Sequence, residues 1–329
     1  MAVTRNDVAK AAGVSPGVVS YVLNSGPRPV SPAARQRVLD AVETLGYKPD
    51  GLARSLRTGQ TNTFGLILPD ASNPFFAELA LAIEDSAYAA GKSVLVCNSA
   101  DDTARERTYL STLLEKRVDG IILVSTSGEE DLADVLNQGI PIVTMDRYRA
   151  HTPVSTVRFD NRHAGYAATQ HLISHGHSRI SFIGGPGSAP VSDERLDGYE
   201  QAMAAAPVKT SVVHGAPFTF LGGYDAIRAL LDQDGQPSGV VCSSDVQAVG
   251  VAAALSEQGL RIPEDLALIS IDGTGLAAYT HPPLTSVAQP ITRMAQLAVE
   301  SVLRRGSETH TTLEGELVIR RSCGCHGHA

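Results

Sequence analysis

From Phe64 onward, short continuous apolar runs alternate with stretches in which apolar residues recur at helical spacing. "FGLIL" (64–68), "SVLVC" (93–97), "GIILV" (120–124) and "IPIVTMD" (140–146) form one series of runs. "RISFIGG" (179–185), "SVVHG" (211–215), "SGVVCSS" (238–244) and "LALISID" (266–272) form a second. Continuous apolar strands separated by helices predict parallel sheets covered on both faces. Two series of four predict two doubly wound α/β subdomains rather than one large sheet. The breaks fall near Asp160-Asn161 and Gln289-Pro290, with the helix after Ile291 and the strand "ELVIR" (316–320) returning to the first subdomain. A helix is expected to open at Asn73-Pro74, and another at Thr103 with Glu106 in the capping-box position.

The first sixty residues follow a different pattern. Thr4 with Asp7 three residues later is a capped helix start, Val8, Ala9, Ala11 and Ala12 give a small-residue face, and Gly13 ends the helix. Ser15 is a second N-cap candidate with Pro16 at the first helical position, and Val18, Val19, Val22 and Leu23 mark an apolar face up to Asn24. Ser31-Pro32 opens a third helix, stopped by Gly46, that covers the backs of the first two. Two short helices around "AGVS" (12–15) fit an all-α helix-turn-helix, whose second helix is short enough to lie in a major groove. Spacing alone leaves open an ordinary helical hairpin.

Charge sharpens the contrast. The whole chain carries a net −8. Residues 1–60 nevertheless hold Arg5, Lys10, Arg28, Arg35, Arg37, Lys48, Arg54 and Arg57 against Asp7, Asp40, Glu43 and Asp50, a net of +4. A basic head on an acidic body suits a head that meets a polyanion. No apolar run approaches the ~18 residues of a membrane span, and the N-terminus has no apolar signal core, so the chain is expected to be cytoplasmic and to have no membrane partner. Four cysteines in 329 residues do not make a disulfide framework.

"VAKAAGVS" (8–15), "VVSYVLN" (18–24), "VSPAARQRVLDAVETLGYKP" (30–49) and "LARSLRTGQTNTFGLILPD" (52–70) closely resemble the lactose/galactose repressor (LacI/GalR) family of bacterial transcription regulators. The similarity continues through "NPFFAEL", "RVDGIILV", "ERLDGY", "LAAYTHPPLTSVAQP" and the terminal "RRSCGC", so it covers essentially the whole chain in order. The resemblance implies a DNA-binding head at 1–48, a linker at 49–60, and a periplasmic-binding-protein-like core at 61–322. That core divides into subdomain one (61–160 plus 291–322) and subdomain two (161–290), with a tail at 323–329. It implies a homodimeric repressor that recognises an inverted-repeat DNA operator under control of a small molecule, a sugar or sugar derivative being the commoner effector.

The positions that face DNA in the family match Thr4, Ser15, Pro16, Gly17, Ser20, Tyr21 and Asn24 in the head, and Ala53, Arg54 and Leu56 in the linker. Val18 stands where Thr is usual, and Tyr21 where Arg is usual. Neither Pro16 nor Gly17 can hydrogen-bond a base through its side chain, so direct readout leans on Tyr21, on close backbone approach at Gly17 and on thymine methyls. Ser20 is read as a phosphate contact. Leu56, between two arginines, matches the family's minor-groove wedge.

Ligands of such folds lie at the carboxyl ends of the strands. Polar and aromatic groups occur there in "PDASNPFF" (69–76), "TMDR" (144–147), "SSD" (243–245) and "SIDG" (270–273), with Arg195 in "DERLDGY" (193–199) at a helix start. The resemblance places effector contacts at Phe75, Asp146, Arg195, Phe218, Ser244 and Asp272, and Arg147 follows Asp146. Asn is common where Ser244 stands, and an acid or Asn where Gly273 stands, so shorter groups are expected to enlarge the pocket or drop a hydroxyl contact. "GGPG" (184–187) is a poor dinucleotide fingerprint and is read as a loop at the cleft rim. No catalytic constellation, cofactor motif or zinc-protease motif appears, so the chain is read as no enzyme and as needing no cofactor. The remaining classes are a solute-binding protein or a sugar-processing enzyme without specific DNA binding. The tail "CGCHGH" (323–328) packs four possible soft-metal ligands into six residues, but the expectation is that it binds no metal.

Overall fold

The computed structural model describes residues 3–23, 28–48, 59–124, 132–146, 154–187, 189–206, 209–232, 236–304 and 308–325. The chain divides into two units, residues 1–61 and 62–329.

In the first unit, Thr4 and Asp7 cap each other reciprocally at the start of α1 (Arg5–Ala12), and Gly13 closes the helix at φ 65°. α2 (Pro16–Leu23) follows at once, with Ser15 Oγ accepting from the Val18 amide at 3.4 Å. α3 (Pro32–Leu45) starts at a Ser31 cap and ends at Gly46 in the same left-handed conformation. Val8, Ala9, Ala12, Val19, Val22, Val38 and Ala41 form the small core among the three helices. Arg37 Nε donates to the Ala12 carbonyl at 3.0 Å, satisfying a helix-end acceptor from the neighbouring helix.

The second unit contains two six-stranded sheets. The first is built from β1 (Thr63–Leu68), β2 (Ser93–Asn98), β3 (Gly120–Val124), β4 (Ile142–Met145), β5 (Ser155–Phe159) and β11 (His310–Leu313), in the order β11-β5-β4-β3-β1-β2. The second contains β6 (Arg179–Ile183), β7 (Lys209–Val213), β8 (Gly239–Cys242), β9 (Ala267–Asp272), β10 (Thr285–Ala288) and β12 (Glu316–Val318), in the order β12-β10-β9-β8-β6-β7. Both sheets are doubly wound, with the strand order reversing at β1 and at β6. All pairs are parallel except β10 with β12.

The crossover segments differ from expectation in one respect. β12 pairs antiparallel with β10 in the second sheet, Leu317 opposite Val287, so "ELVIR" does not return to the first subdomain. The strand that does return is β11, parallel to β5. Subdomain one therefore takes the helix after Ile291 and residues up to about Leu313, not up to 322. The sequence "HTTL" holds no apolar run, which hid this strand; β5 and β10 are likewise only five and four residues long. Gly315 fixes where the chain crosses, because a side chain there would meet the Ala288 carbonyl at 2.6 Å and the Phe159 ring at 2.7 Å.

Helices cover both sheets: α4 (Pro74–Ala89), α5 (Thr103–Glu115), α6 (Ala133–Asn137) and α12 (Ile291–Leu303) on the first; α7 (Asn161–Ser174), α8 (Pro190–Ala204), α9 (Phe220–Leu231), α10 (Asp245–Glu257) and α11 (Gly275–Ala278) on the second. Asn73 caps α4 as expected, whereas α5 is capped by Asp102, whose carboxylate accepts from the Ala104 and Arg105 amides. Two helix pairs cross at backbone contact through glycine. Gly165 on α7 lies against the Arg195 carbonyl, and Gly250 on α10 against the Phe220 carbonyl. The largest apolar cluster includes Phe75 and Phe159 of the first lobe with Ile271 and Val287 of the second.

Candidate functional site

In the head, helical periodicity puts Gly17, Ser20 and Tyr21 on the face of α2 opposite Val19 and Val22, which are buried. Gly17 is exposed, Pro16, Ser20 and Tyr21 are half-buried, and Thr4 and Ser15 lie exposed at the helix starts. A methyl at Gly17 would meet only Ser15 Oγ, at 3.7 Å, so nothing inside the head requires glycine there. The expected contacts at Asn24, Ala53, Arg54 and Leu56 lie outside the described residues.

In the body, a buried polar network gathers at the carboxyl ends of the second sheet's strands. Arg195 is 3% exposed. It sits in the second turn of α8, not at a helix start, because Pro190 takes the first helical position. Its guanidinium donates from Nε to Asn161 Oδ1 at 2.8 Å and from Nη1 to the Ser243 carbonyl, with Asp272 Oδ1 3.6 Å away. Asp272 also accepts from Gln289 Nε2 at 2.9 Å and from the Asp245 amide at 3.3 Å. Burial pushes its carboxyl up to about 8, against the opposing pull of Arg195 and with a further push from Asp245. Asn161 in turn donates to Glu194, which pairs with Arg158 on β5.

The network therefore ties Arg195 and Asp272 to two of the three crossover segments, through Asn161 after β5 and Gln289 after β10. Asp272 has φ 131° and Asp146, at the end of β4, has φ 60°. Non-glycine residues held in such conformations cost about 1–3 kcal/mol each and cluster where a side chain must be aimed. Across the cleft, Glu78 on α4 accepts from the Gly275 amide at 2.8 Å, bringing the first turns of α4 beside the end of β9. Phe75 is buried in that turn with its ring edge-on to Phe76. Phe218 lays its ring over Gly185 in the rim loop, where a Cβ would fall 2.2 Å from the ring.

Two expected features read differently in the structure. Ser244 does not open the pocket: its hydroxyl caps α10, accepting from the Gln247 amide at 3.4 Å and donating to Gln247 Oε1 at 3.2 Å. Nor does Gly273 add space, because a Cβ there would lie 2.3 Å from Ala288 Cα; the place of the missing side chain is taken by the end of β10. Asp245 is an internal tie, accepting from Ser270, Ser286 and Thr274. Arg147 lies outside the described residues.

Sequence reasoning missed Asn161, Ser243 and Gln289. Ser243 Oγ and Gln289 Oε1 are buried and have no hydrogen-bond partner among the described residues, a state that calls for an explanation. Their signal was positional: each follows a strand by one residue or opens a crossover.

A helix-turn-helix head joined to a two-sheet binding body defines a ligand-responsive DNA-binding regulator. Residues 4–50 match the bacterial regulatory proteins of the lacI family, and residues 169–323 match the periplasmic binding protein-like domain. The chain is 34% identical to the transcriptional repressor PurR of Photobacterium profundum over 97% of this chain and 98% of that protein. It is 37% identical to the ribose operon repressor of Escherichia coli over 92% of each. Among solved structures, the Lac repressor dimer bound to operator and an anti-inducer superposes with a TM-score of 0.90 at 25% identity, over 98% of this chain and 99% of that one. A LacI family regulator from Enterococcus faecium with bound ribose superposes with a TM-score of 0.73 at 28% identity, over 79% of this chain and 98% of that one. The chain belongs to the LacI family. It is a DNA-binding transcriptional regulator that responds to a small molecule, not an enzyme. Among the described residues no helix is long and apolar enough to cross a membrane.

Proposed function

We propose that this chain is a cytoplasmic, homodimeric repressor of an inverted-repeat operator, controlled by a small polyhydroxylated ligand, a sugar or sugar derivative. Residues 1–48 serve as the reading head, 49–60 as the linker and 61–322 as the sensor. The observation that carries the ligand reading is the buried Arg195–Asp272 pair. A planar cationic fork beside an acceptor, with amide and hydroxyl groups around them and an aromatic face nearby, is chemistry suited to vicinal hydroxyls. The ribose held by the Enterococcus faecium relative supports the same ligand class.

Phe75, Asp146, Arg147, Arg195, Phe218, Ser244 and Asp272 are the proposed ligand residues. Of these, Arg195 and Asp272 are best supported, Ser244 acts through its helix cap, and Ser243 and Gln289 join the set. Because Arg195 and Asp272 are linked to Asn161 and Gln289 at two crossovers, ligand contacts bias the angle between the lobes. The equilibrium shifts only by the difference in ligand affinity between the two closures. On DNA, Thr4, Ser15, Pro16, Gly17, Ser20, Tyr21 and Asn24 meet the groove and backbone, Ala53 and Arg54 follow the linker, and Leu56 wedges the minor groove.

The test is fluorescence anisotropy with palindromes from the chain's own genomic neighbourhood, read at several salt concentrations and against a panel of sugars and nucleosides. The expected result is two chains per operator, affinity that falls steeply with salt, and a sugar that changes it. Leu56→Ala should weaken operator binding sharply with ligand binding intact. A monomer indifferent to every palindrome would overturn the reading.

A further inference from the structure

Four soft-metal ligands from distant parts of the sequence meet on the second lobe. His171 lies in the last turn of α7 and His175 is its C-cap, one turn apart on the same face. Cys323 and Cys325 flank Gly324, whose φ of 79° reverses the chain after β12. His171 Nε2 lies 2.9 Å from Cys325 Sγ, and His175 Nε2 lies 3.0 Å from the same sulfur. The ligand atoms of His171, Cys323 and Cys325 all fall within 4.8 Å of one another. Neither cysteine is in a disulfide.

We infer that His171, His175, Cys323 and Cys325 form a tetrahedral two-cysteine, two-histidine zinc site that fastens the end of the chain to α7. With Zn–S near 2.3 Å and Zn–N near 2.0 Å, tetrahedral donors stand roughly 3.3–3.8 Å apart. Both histidine nitrogens stand a little closer than this to Cys325 Sγ, so those donors spread slightly on metal binding, and the exposed His175 ring, which lies outside the group of three within 4.8 Å, turns in to complete the tetrahedron.

The tautomer is already set for ligation. His175 Nδ1 lies 2.8 Å from the His171 carbonyl, which can only accept, so Nδ1 carries the proton and Nε2 offers its lone pair toward the sulfur. A ring N–H given to a backbone carbonyl is the usual outer support of a metal-bound histidine. Cys323 is seated by Ser322, which accepts from the Thr285 amide and donates to the Leu268 carbonyl. Metal binding would release the thiol protons of both cysteines.

Leu268 and Thr285 stand at the amino ends of β9 and β10, whereas Asp272 ends β9, five residues or about 17 Å along the strand from Ala267. The site is therefore separate from the ligand cleft and does not depend on the proposed effector.

Two probes test it on the reduced, metal-stripped full chain: Co²⁺ read by absorption, and Zn²⁺ in competition with a chromophoric chelator. One cobalt per chain, with the visible bands of tetrahedral coordination, a thiolate-to-cobalt charge-transfer band and displacement by zinc, is the expected result. His175 is exposed, so His175→Ala leaves the fold intact. It should lower zinc affinity by more than the about 10–100-fold that loss of an outer-shell partner costs. Cys325→Ser should abolish the charge-transfer band or reduce it to that of a single thiolate. Failure of the reduced chain to bind stoichiometric cobalt or zinc would overturn the site, as would unchanged zinc affinity in a His171→Ala/His175→Ala chain that melts like the parent.

Discussion

Replacing Gly165 by Ala tests whether the crossing of α7 and α8 is what aims Arg195. The added Cβ would sit 2.0 Å from the Arg195 carbonyl oxygen, 2.9 Å from its carbon and 3.1 Å from its Cα. A carbon and an oxygen need well over 3 Å, and the obstacle is backbone, so α8 must move outward by about 1 Å or more. Overpacking of this kind costs about 1–3 kcal/mol. The better helix propensity of Ala offsets up to about 1 kcal/mol, leaving a net loss of roughly 1–2 kcal/mol. At about 2–4 °C per kcal/mol for a unit of this size, Tm should fall by about 2–8 °C. The same shift carries Arg195 away from Asn161 and the Ser243 carbonyl. Loss of one hydrogen bond to a charged group is worth about 1.5–3 kcal/mol, or roughly 10–150-fold in affinity for the effector.

Thermal melts and isothermal titration with the sugar that a thermal-shift panel identifies provide the assay. Gly65→Ala is the control, because its Cβ would press on the buried Leu113 side chain, 2.4 Å away in the first lobe, and not on Arg195. It should also lower Tm, by overpacking, and leave effector affinity unchanged. A Gly165→Ala chain that melts within about 1 °C of the parent and binds effector equally well would refute the argument.

Three further outcomes are expected. Gly17→Ala should leave the head folded, or stabilise it by up to about 1 kcal/mol, yet weaken operator binding if the backbone approaches DNA there; equal affinity in anisotropy titrations would remove Gly17 from the interface. Arg195→Lys keeps the charge but loses the fork, so effector affinity should fall at least about tenfold while operator binding without effector persists; unchanged calorimetric affinity would count against the role of the fork. Asp272 has its carboxyl held up to about 8, mainly by burial, so between about pH 4 and 8 the folded chain keeps a proton that the unfolded chain has released. Stability of the body should therefore decline as pH rises through that interval, and Asp272→Asn should remove that part of the slope in denaturant melts. A parent and variant with the same pH profile would show that Asp272 titrates elsewhere.

Local physics made much of this legible in the chain. The head needed only caps, a left-handed glycine and helical spacing, all of which act over a few residues, so Thr4, Gly13, Ser31 and Gly46 announced it. The buried parallel strands announced themselves because both of their faces are covered, which makes them continuously apolar. Strand ends could be found the same way, and with them Asp146 and Asp272.

The crossovers and the polar interior were another matter. β5, β10 and β11 are four or five residues long, partly polar and paired over long sequence distances, so their place depends on neighbours rather than on their own pattern. That Gly273 is filled by Ala288, that Ser244 caps rather than binds, and that Asn161 and Gln289 join Arg195 and Asp272 are results of close packing between distant segments. The meeting of His171 and His175 with Cys323 and Cys325, some 150 residues later, is of the same kind. Sequence alone determined the elements, the basic head and the strand-end chemistry, because those rest on short-range propensity and periodicity. Only the tertiary structure decided which side chains share a site, because that depends on how two sheets and three crossings bring remote residues within a few ångströms.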